Sequence, residues 1–233
     1  MIGAVTSDHP ELAQAIERVA EDVPVFGLVN ELHSDALSGR IGVNWQDMGY
    51  VIGRHLSELH PKGTPSKSAV FITGPRIAGW TGPLEAGLRD GLTDSAITIS
   101  GVYEDDTGLR QQLALVETAL EQYPETDFLI GSAPAVEAAS GLIAAQKSPQ
   151  APQLLSTYIS HTVLRGLMNG GVFAASFDDP IAQGVMAIRQ AVLTIGPDSV
   201  EKSIGPEVVL LKKGDGSVQR VMISPADYFP AIE

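Results

Sequence analysis

Five side chains in this sequence have types and positions that could hold a small ligand: Trp45, Trp80, Tyr158, Asn30 and Asp178. Asn30, Trp45 and Tyr158 each lie at the C-terminal end of a run that reads as a strand. In open α/β sheets, ligands bind beyond the carboxyl ends of strands. Aromatic rings that converge there would cage a methylated, ammonium-like group through their negative faces. The commoner role of a large aromatic is a buttress between packed elements. Trp45, where a strand becomes a helix, fits either role. Asp178 stands in Asp178-Asp179-Pro180, where one carboxylate caps the next helix and either can line a cleft. Trp80 and Arg76 lie in the glycine-rich loop Gly74 to Pro83, which reads as ligand-facing or as a plain flexible loop.

Other chemistries find less support. The same loop has neither the Gly-Lys-Ser/Thr ending of a phosphate cradle nor the Gly-x-Gly-x-x-Gly of a dinucleotide site. The five histidines (His9, His33, His55, His60, His161) show no metal-ligand spacing. His55 and His60, five apart, fall on different helix faces. With no cysteine, disulfides and thiolate metal sites are excluded. There is no Gly-x-Ser-x-Gly elbow, and Ser132 in Gly131-Ser132-Ala133-Pro134 reads as a helix cap. Glu104-Asp105-Asp106 reads as a solvated strand end. These features argue against an enzyme, and no metal or cofactor is expected. Lys and Arg number 15 against 28 Asp and Glu, a net charge of -13 that disfavours nucleic-acid backbones. No apolar run approaches the roughly 18 to 20 residues needed to span a membrane. No signal peptide is visible, and the chain opens inside a strand-like run, so further N-terminal sequence is expected.

A chain of 233 residues suffices for one large or two small domains. Ile2 to Val5 reads as a strand, and Asp8-His9-Pro10-Glu11 as the start of a helix with a stripe of Leu12, Ile16 and Val19. Val23 to Val29 and Arg40 to Val43 are strands. Met48, Val51, Ile52, Leu56 and Leu59 give the next helix its apolar stripe. Continuous apolar Ala69 to Ile72 predicts a strand buried on both faces. Leu84 and Leu88 mark a helix, Ala96 to Val102 a strand, and Leu109, Leu113, Val116 and Leu120 a helix. Phe128 to Ile130, Leu154 to Ile159, Val172 to Phe177 and Val208 to Leu211 are strands. Between them lie helices at Ala135 to Gln146, His161 to Met168 and Ile181 to Ile195. The tail from Ser217 reads as turns with an apolar end. Alternating strands and helices predict α/β architecture, doubly wound around parallel sheet.

Several runs resemble the type I periplasmic-binding-protein family, and within it the members that sense trimethylamine N-oxide. They are Leu28-Val29-Asn30, Arg40 through Tyr50 with Gly53-Arg54, and Ser156 through His161 with Arg165-Gly166-Leu167. Ala174-Ala175-Ser176, Ser224-Pro225 and Phe229-Pro230 complete the set, which covers nearly the whole chain in order. The resemblance implies two doubly wound lobes joined by three hinge crossings, near Val43–Gln46, Ser176–Pro180 and Glu207–Leu210. Lobe one would hold 1–44 plus 179–207, and lobe two 45–178 plus 208–233. It implies a periplasmic protein that binds the N-oxide in an aromatic box and signals to the periplasmic domain of a membrane sensor histidine kinase. Trp45 matches a box tryptophan and Tyr158 a box tyrosine. Asn30 and Asp178 match cleft-facing positions. The alternative is a solute-binding protein of a sugar-type ABC transporter. Against the family pattern, the signal peptide and two βα units ahead of Ile2 are missing. That leaves the first strand as an open edge, removes part of the cleft wall, and predicts weakened or absent ligand binding.

Overall fold

In the computed structural model, which describes residues 2–3, 10–146, 151–195 and 201–223, strands and helices alternate along most of the chain. First come β1 (Ile2–Gly3), α1 (Pro10–Ala20), β2 (Phe26–Leu28) and β3 (Gly39–Ile41). Then follow α2 (Trp45–Leu59), β4 (Lys67–Thr73), α3 (Thr81–Gly91), β5 (Ile97–Glu104) and α4 (Leu109–Gln122). β6 (Phe128–Gly131), α5 (Ala133–Gln146), β7 (Gln153–Ser156), α6 (His161–Asn169) and β8 (Ala174–Phe177) come next. The described chain closes with α7 (Pro180–Ile195), β9 (Ser203–Ile204), β10 (Val209–Lys212) and a 3₁₀ turn at Gly216–Arg220.

The strands form two sheets. The smaller has the order β1-β2-β3-β9 and is parallel throughout. The larger has the order β10-β8-β7-β6-β4-β5, parallel except for β10, which runs against β8. The chain passes between the sheets after β3, after β8 and after β9. The first and third passages lie side by side, because the Gly42 N–H donates to the Ile204 carbonyl at 3.0 Å. A Cβ on Gly205 would fall on the Gly42 carbonyl oxygen, so only a bare backbone fits there.

β4 is the spine of the larger sheet: Ala69, Val70, Phe71 and Ile72 are sealed from solvent on both faces. One face meets Met48, Ile52 and Leu56 of α2 with Leu84 and Leu88 of α3. The other meets Val116, Ala139, Val163 and Leu167. Each fully buried Leu or Ile there stabilises the fold by about 1.5–3 kcal/mol.

The apolar stripe expected on α2 needs correction. Leu59 is exposed and Val51 half-buried, whereas Gly49 and Gly53 are buried. The reason is the neighbour. Gly49 and Gly53 face Gly87 and Gly91 of α3, and the two backbones are in van der Waals contact. A Cβ on Gly49 would strike the Leu84 carbonyl, and one on Gly87 the Gln46 carbonyl. The α4 stripe turns similarly. Leu109 is exposed, and the buried face is Gln112, Val116 and Ala119. On α1 only Ile16 of the expected stripe is buried, and Val19 is exposed. Strand β9 carries no sequence signal of its own. The expected cap at Asp8 and the tail from Ser224 lie outside the described residues.

Candidate functional site

A cavity of about 530 Å³ opens between the two sheets. Its lining residues follow the carboxyl ends of strands: Val29 and Asn30 after β2, Trp45 after β3, Pro75, Ile77, Ala78 and Trp80 after β4. Asp105, Asp106 and Thr107 follow β5, Tyr158 follows β7 and Asp178 follows β8. A crevice at that end of an open parallel sheet is where ligands bind.

Three rings make one wall. The Trp45 and Trp80 centroids are 5.1 Å apart at an interplanar angle of 37°. Tyr158 stands edge-on to both, at 6.4 Å and 88° from Trp45 and at 6.2 Å and 89° from Trp80. Each ring is placed by local chemistry. Trp45 opens α2, whose N-terminus is capped by Asn44: its side-chain oxygen accepts from Gln46 N–H at 2.9 Å and Asp47 N–H at 3.4 Å. Trp80 ends a loop folded on itself by Ala78 N–H to Pro75 O (2.9 Å) and Thr81 Oγ1 to Ala78 O (2.9 Å). Gly74 leaves room for the Trp80 indole, since a Cβ there would lie 2.5 Å from the ring. Tyr158 is held from both sides, by Ser156 Oγ donating to its carbonyl at 2.7 Å and by Ser160 capping α6.

The polar groups are positioned as tightly. Val29 has φ +71, and the Asn30 N–H donates back to the Leu28 carbonyl at 2.9 Å. That is a γ-turn of the rare positive-φ kind, strained for a β-branched residue, and it sets Asn30 on the cavity wall. In the Asp178-Asp179 pair the roles divide. Asp179, at φ +40, caps α7 by accepting from Ala182 N–H at 2.9 Å, while Asp178 lines the cavity. Gln112, fully buried in α4, donates to the carbonyls of Asp105 (3.3 Å) and Asp106 (3.0 Å) and accepts from Ser132 Oγ at 2.7 Å. It therefore fixes the loop that carries those two carboxylates. Ser132 also caps α5 by accepting from Ala135 N–H.

Burial dominates the electrostatics. It pushes the Tyr158 phenol up to about 12, against hydrogen bonding from Ser132 and Ala133 and with the charge of Asp178 adding to it. Burial likewise raises the Asp178 carboxyl, opposed by backbone N–H groups of Asp178 and Ile159 and by Gln183, and aided by the charge of Asp179. One Asp178 oxygen, Oδ1, is sealed from solvent and has no hydrogen-bond partner among the described residues. Such an atom is costly unless something else satisfies it.

All five residues singled out from the sequence line this one cavity. Arg76 does not: its guanidinium is held by Glu104, with Nε donating to Oε2 at 3.0 Å. The reading of Glu104-Asp105-Asp106 as a solvated strand end agrees with the structure, where β5 ends at Glu104 and Asp105 and Asp106 are exposed; both also stand on the cavity lining. Pro75, Ile77 and Ala78 come from the Gly74 to Pro83 loop, for which a ligand-facing role was one of two readings, whereas Val29 and Thr107 were not anticipated and no local signal marks them. A second cavity, of about 550 Å³, lies against the crossings and shares Val29 and Asn30. Its aromatic content is Tyr50, and its Arg40 is paired with Glu31 at 2.9 Å. It lacks the ring cluster and the unpartnered buried oxygen, so the aromatic cavity is the stronger site. Among the described residues no group of His, Asp and Glu could hold a metal ion, and no helix is long and apolar enough to cross a membrane.

No family model matches the chain. Periplasmic protein TorT of Escherichia coli O157:H7 and that of strain K12 are each 32% identical to it over 232 residues, which is 99% of the chain. The chain spans 66% of the length of those relatives. In the crystal structure of the TorS sensor domain–TorT complex in the presence of TMAO, a chain 31% identical superposes with a TM-score of 0.80 over 90% of this chain and 72% of that one. An ABC transporter solute-binding protein from Bradyrhizobium sp. BTAi1 with bound Bis-Tris, also 31% identical, superposes at 0.83 over 100% of this chain and 70% of its own. A carbohydrate transporter solute-binding protein from Agrobacterium radiobacter in complex with D-arabinose, 16% identical, shares the fold at a TM-score of 0.79 over 92% of this chain and 75% of its own. The chain belongs to the TorT family of type I periplasmic binding proteins.

Proposed function

We propose that this chain is the ligand-binding part of a periplasmic sensor. A small N-methylated solute, trimethylamine N-oxide first of all, enters the aromatic cavity, and the periplasmic domain of a TorS-like membrane histidine kinase reads the resulting change between the lobes. Lobe one is 1–44 with 179–207, and lobe two is 45–178 with 208–233. The observation that carries this reading is the meeting of Trp45, Trp80 and Tyr158 on one wall, with Asn30 across the gap from the other lobe. Methyl groups on nitrogen carry partial positive charge and lie well against ring faces. The Asn30 amide can donate to an N-oxide oxygen.

The cavity volume explains why a sensor of this kind moves. About 530 Å³ is a size that encloses far larger ligands. A guest of so few atoms touches both lobes only after they close on it. Ligand therefore favours the closed arrangement by its extra contacts there, and a kinase that binds the two arrangements differently receives the signal. Gly42 and Gly205, packed backbone to backbone at two crossings, give the hinge a side-chain-free seam.

The test is thermal denaturation with and without trimethylamine N-oxide, followed by pull-down of a TorS-like sensor domain. At ten times the dissociation constant, ligand stabilises the native state by about 1.4 kcal/mol. For a chain of this size that raises Tm by about 3 °C. A shift of that size overturns the expectation of an impaired site; no shift at tens of millimolar, or a shift with sugars instead, contradicts the reading. Delivery of a solute to an ABC transporter is the second reading, favoured by the likeness to the Bradyrhizobium protein. Capture of a kinase sensor domain separates the two.

A further inference from the structure

We propose that the aromatic cavity selects its guest by charge: it binds methylated ammonium cations, with the Asp178 carboxylate as counter-ion behind the Trp45–Trp80–Tyr158 cage. The inference rests on the cavity being the ligand site and does not depend on which solute the sensor reads.

Three observations meet in it. The charged residues on the lining are Asp105, Asp106 and Asp178, all acidic, with no Lys, Arg or His among them. The basic residue of the adjoining loop, Arg76, is already engaged by Glu104. Second, Asp178 is nine-tenths buried, and its Oδ1 has no partner among the described residues. The Ile159 N–H and Gln183 serve the carboxyl elsewhere, but an oxygen buried without a partner is costly, and a cation set near it offsets that cost. Third, the rings add the same preference, since their negative faces attract a full positive charge more than a dipole.

An N-oxide and an ammonium ion make opposite demands on Asp178. The N-oxide oxygen is an acceptor and finds a donor at Asp178 only in the protonated acid. A quaternary ammonium ion has no acceptor and gains from the ionised form. The groups facing Asp178 are Asp179 in its own turn, the Ile159 N–H and Tyr158 from the β7–α6 loop, and Gln183 from α7. Asp105 and Asp106 share the cavity. Every ionisable group in that set is acidic, so a cation entering it is the missing positive charge.

Isothermal titration of the whole chain at pH 7.5 with tetramethylammonium chloride and with trimethylamine N-oxide tests this. Tetramethylammonium should bind more tightly than the N-oxide. In Asp178→Asn the ratio of the two affinities should fall roughly tenfold or more, because the counter-ion is gone and the new amide donates to the N-oxide oxygen. The double variant Asp105→Asn, Asp106→Asn should lower the ratio by a few-fold, as expected of exposed charges. Binding of the N-oxide without tetramethylammonium overturns the charge selection and leaves the sensor reading standing. A ratio unmoved by Asp178→Asn overturns the counter-ion role. Failure of both solutes to bind removes the inference together with the ligand site.

Discussion

The two sheets are built to different standards. In the larger, β4 is covered on both faces, by α2 and α3 on one side and by α4, α5 and α6 on the other. In the smaller, the described core is two separate clusters: Ile16, Val25, Leu32 and Leu37 toward α1, and Phe26, Ile41 and Ala187 toward α7. The outer face of α7 shows a stripe of exposed Val185, Ile188, Val192 and Ile195, and among the described strands β1 stands at the sheet's edge. Buried apolar area is the main favourable term in folding. The larger sheet is therefore the anchor and the smaller one the weaker partner. The cavity uses this contrast. Its rings, which need fixed geometry, pack with the core of the larger sheet, Trp45 from the start of α2 and Trp80 and Tyr158 from loops after β4 and β7, while the smaller sheet contributes Val29 and Asn30 across the gap.

The contrast can be broken by like-for-like deletions. Phe71→Ala in the larger sheet should cost about 4 kcal/mol and lower the global unfolding free energy seen in urea. Phe26→Ala, equally buried, should cost about 3 kcal/mol, read in a different place. Amides of β2 and β3 should exchange with solvent through local opening while those of β4 and β6 stay protected. Equal loss of protection in both sheets would remove the distinction. Gly87→Ala comes next, since its Cβ meets the Gln46 backbone and no flexible side chain can give way. It should cost about 2 kcal/mol in urea and push α2 from α3, shifting Trp45 as well. A neutral result would mean the helices separate freely.

The smallest effect is a gain. Burial raises the Asp178 pKa in the fold above its ordinary 3.8. The native state then holds that proton longer than the unfolded chain, and stability falls as pH rises from the unfolded value through the folded one. Asp178→Asn removes the buried charge and should stabilise the protein at pH 7 by on the order of 1 kcal/mol. The advantage should vanish below the unfolded pKa, where both chains are neutral at that position. A variant less stable at pH 7 would show that the carboxylate is already satisfied.

What could be read from the sequence follows from what is local. Trp45, Tyr158 and Asn30 were visible because a residue just past a strand has few places to go in a parallel sheet. Asp179 and Asp178 were visible as a cap and its neighbour, though which did which depended on the turn at φ +40. The glycine seam between α2 and α3 was not, because Gly49 and Gly87 declare themselves only once two distant helices touch. Asp105 and Asp106 were legible as solvated acids but not as neighbours of the cavity. What turns them to the cavity is Gln112, buried in a helix face where a leucine was expected. Strand β9 is too short to carry a periodicity and exists by pairing with β3.

The chain's two tryptophans are Trp45 and Trp80, and both stand in the cavity wall. Indole emission is therefore a direct reporter of the site. On titration with trimethylamine N-oxide, a saturable change in tryptophan fluorescence, weakened in Tyr158→Ala, is the predicted result. Emission that stays flat to tens of millimolar, with Tm also unmoved, would contradict a ligand held against those rings.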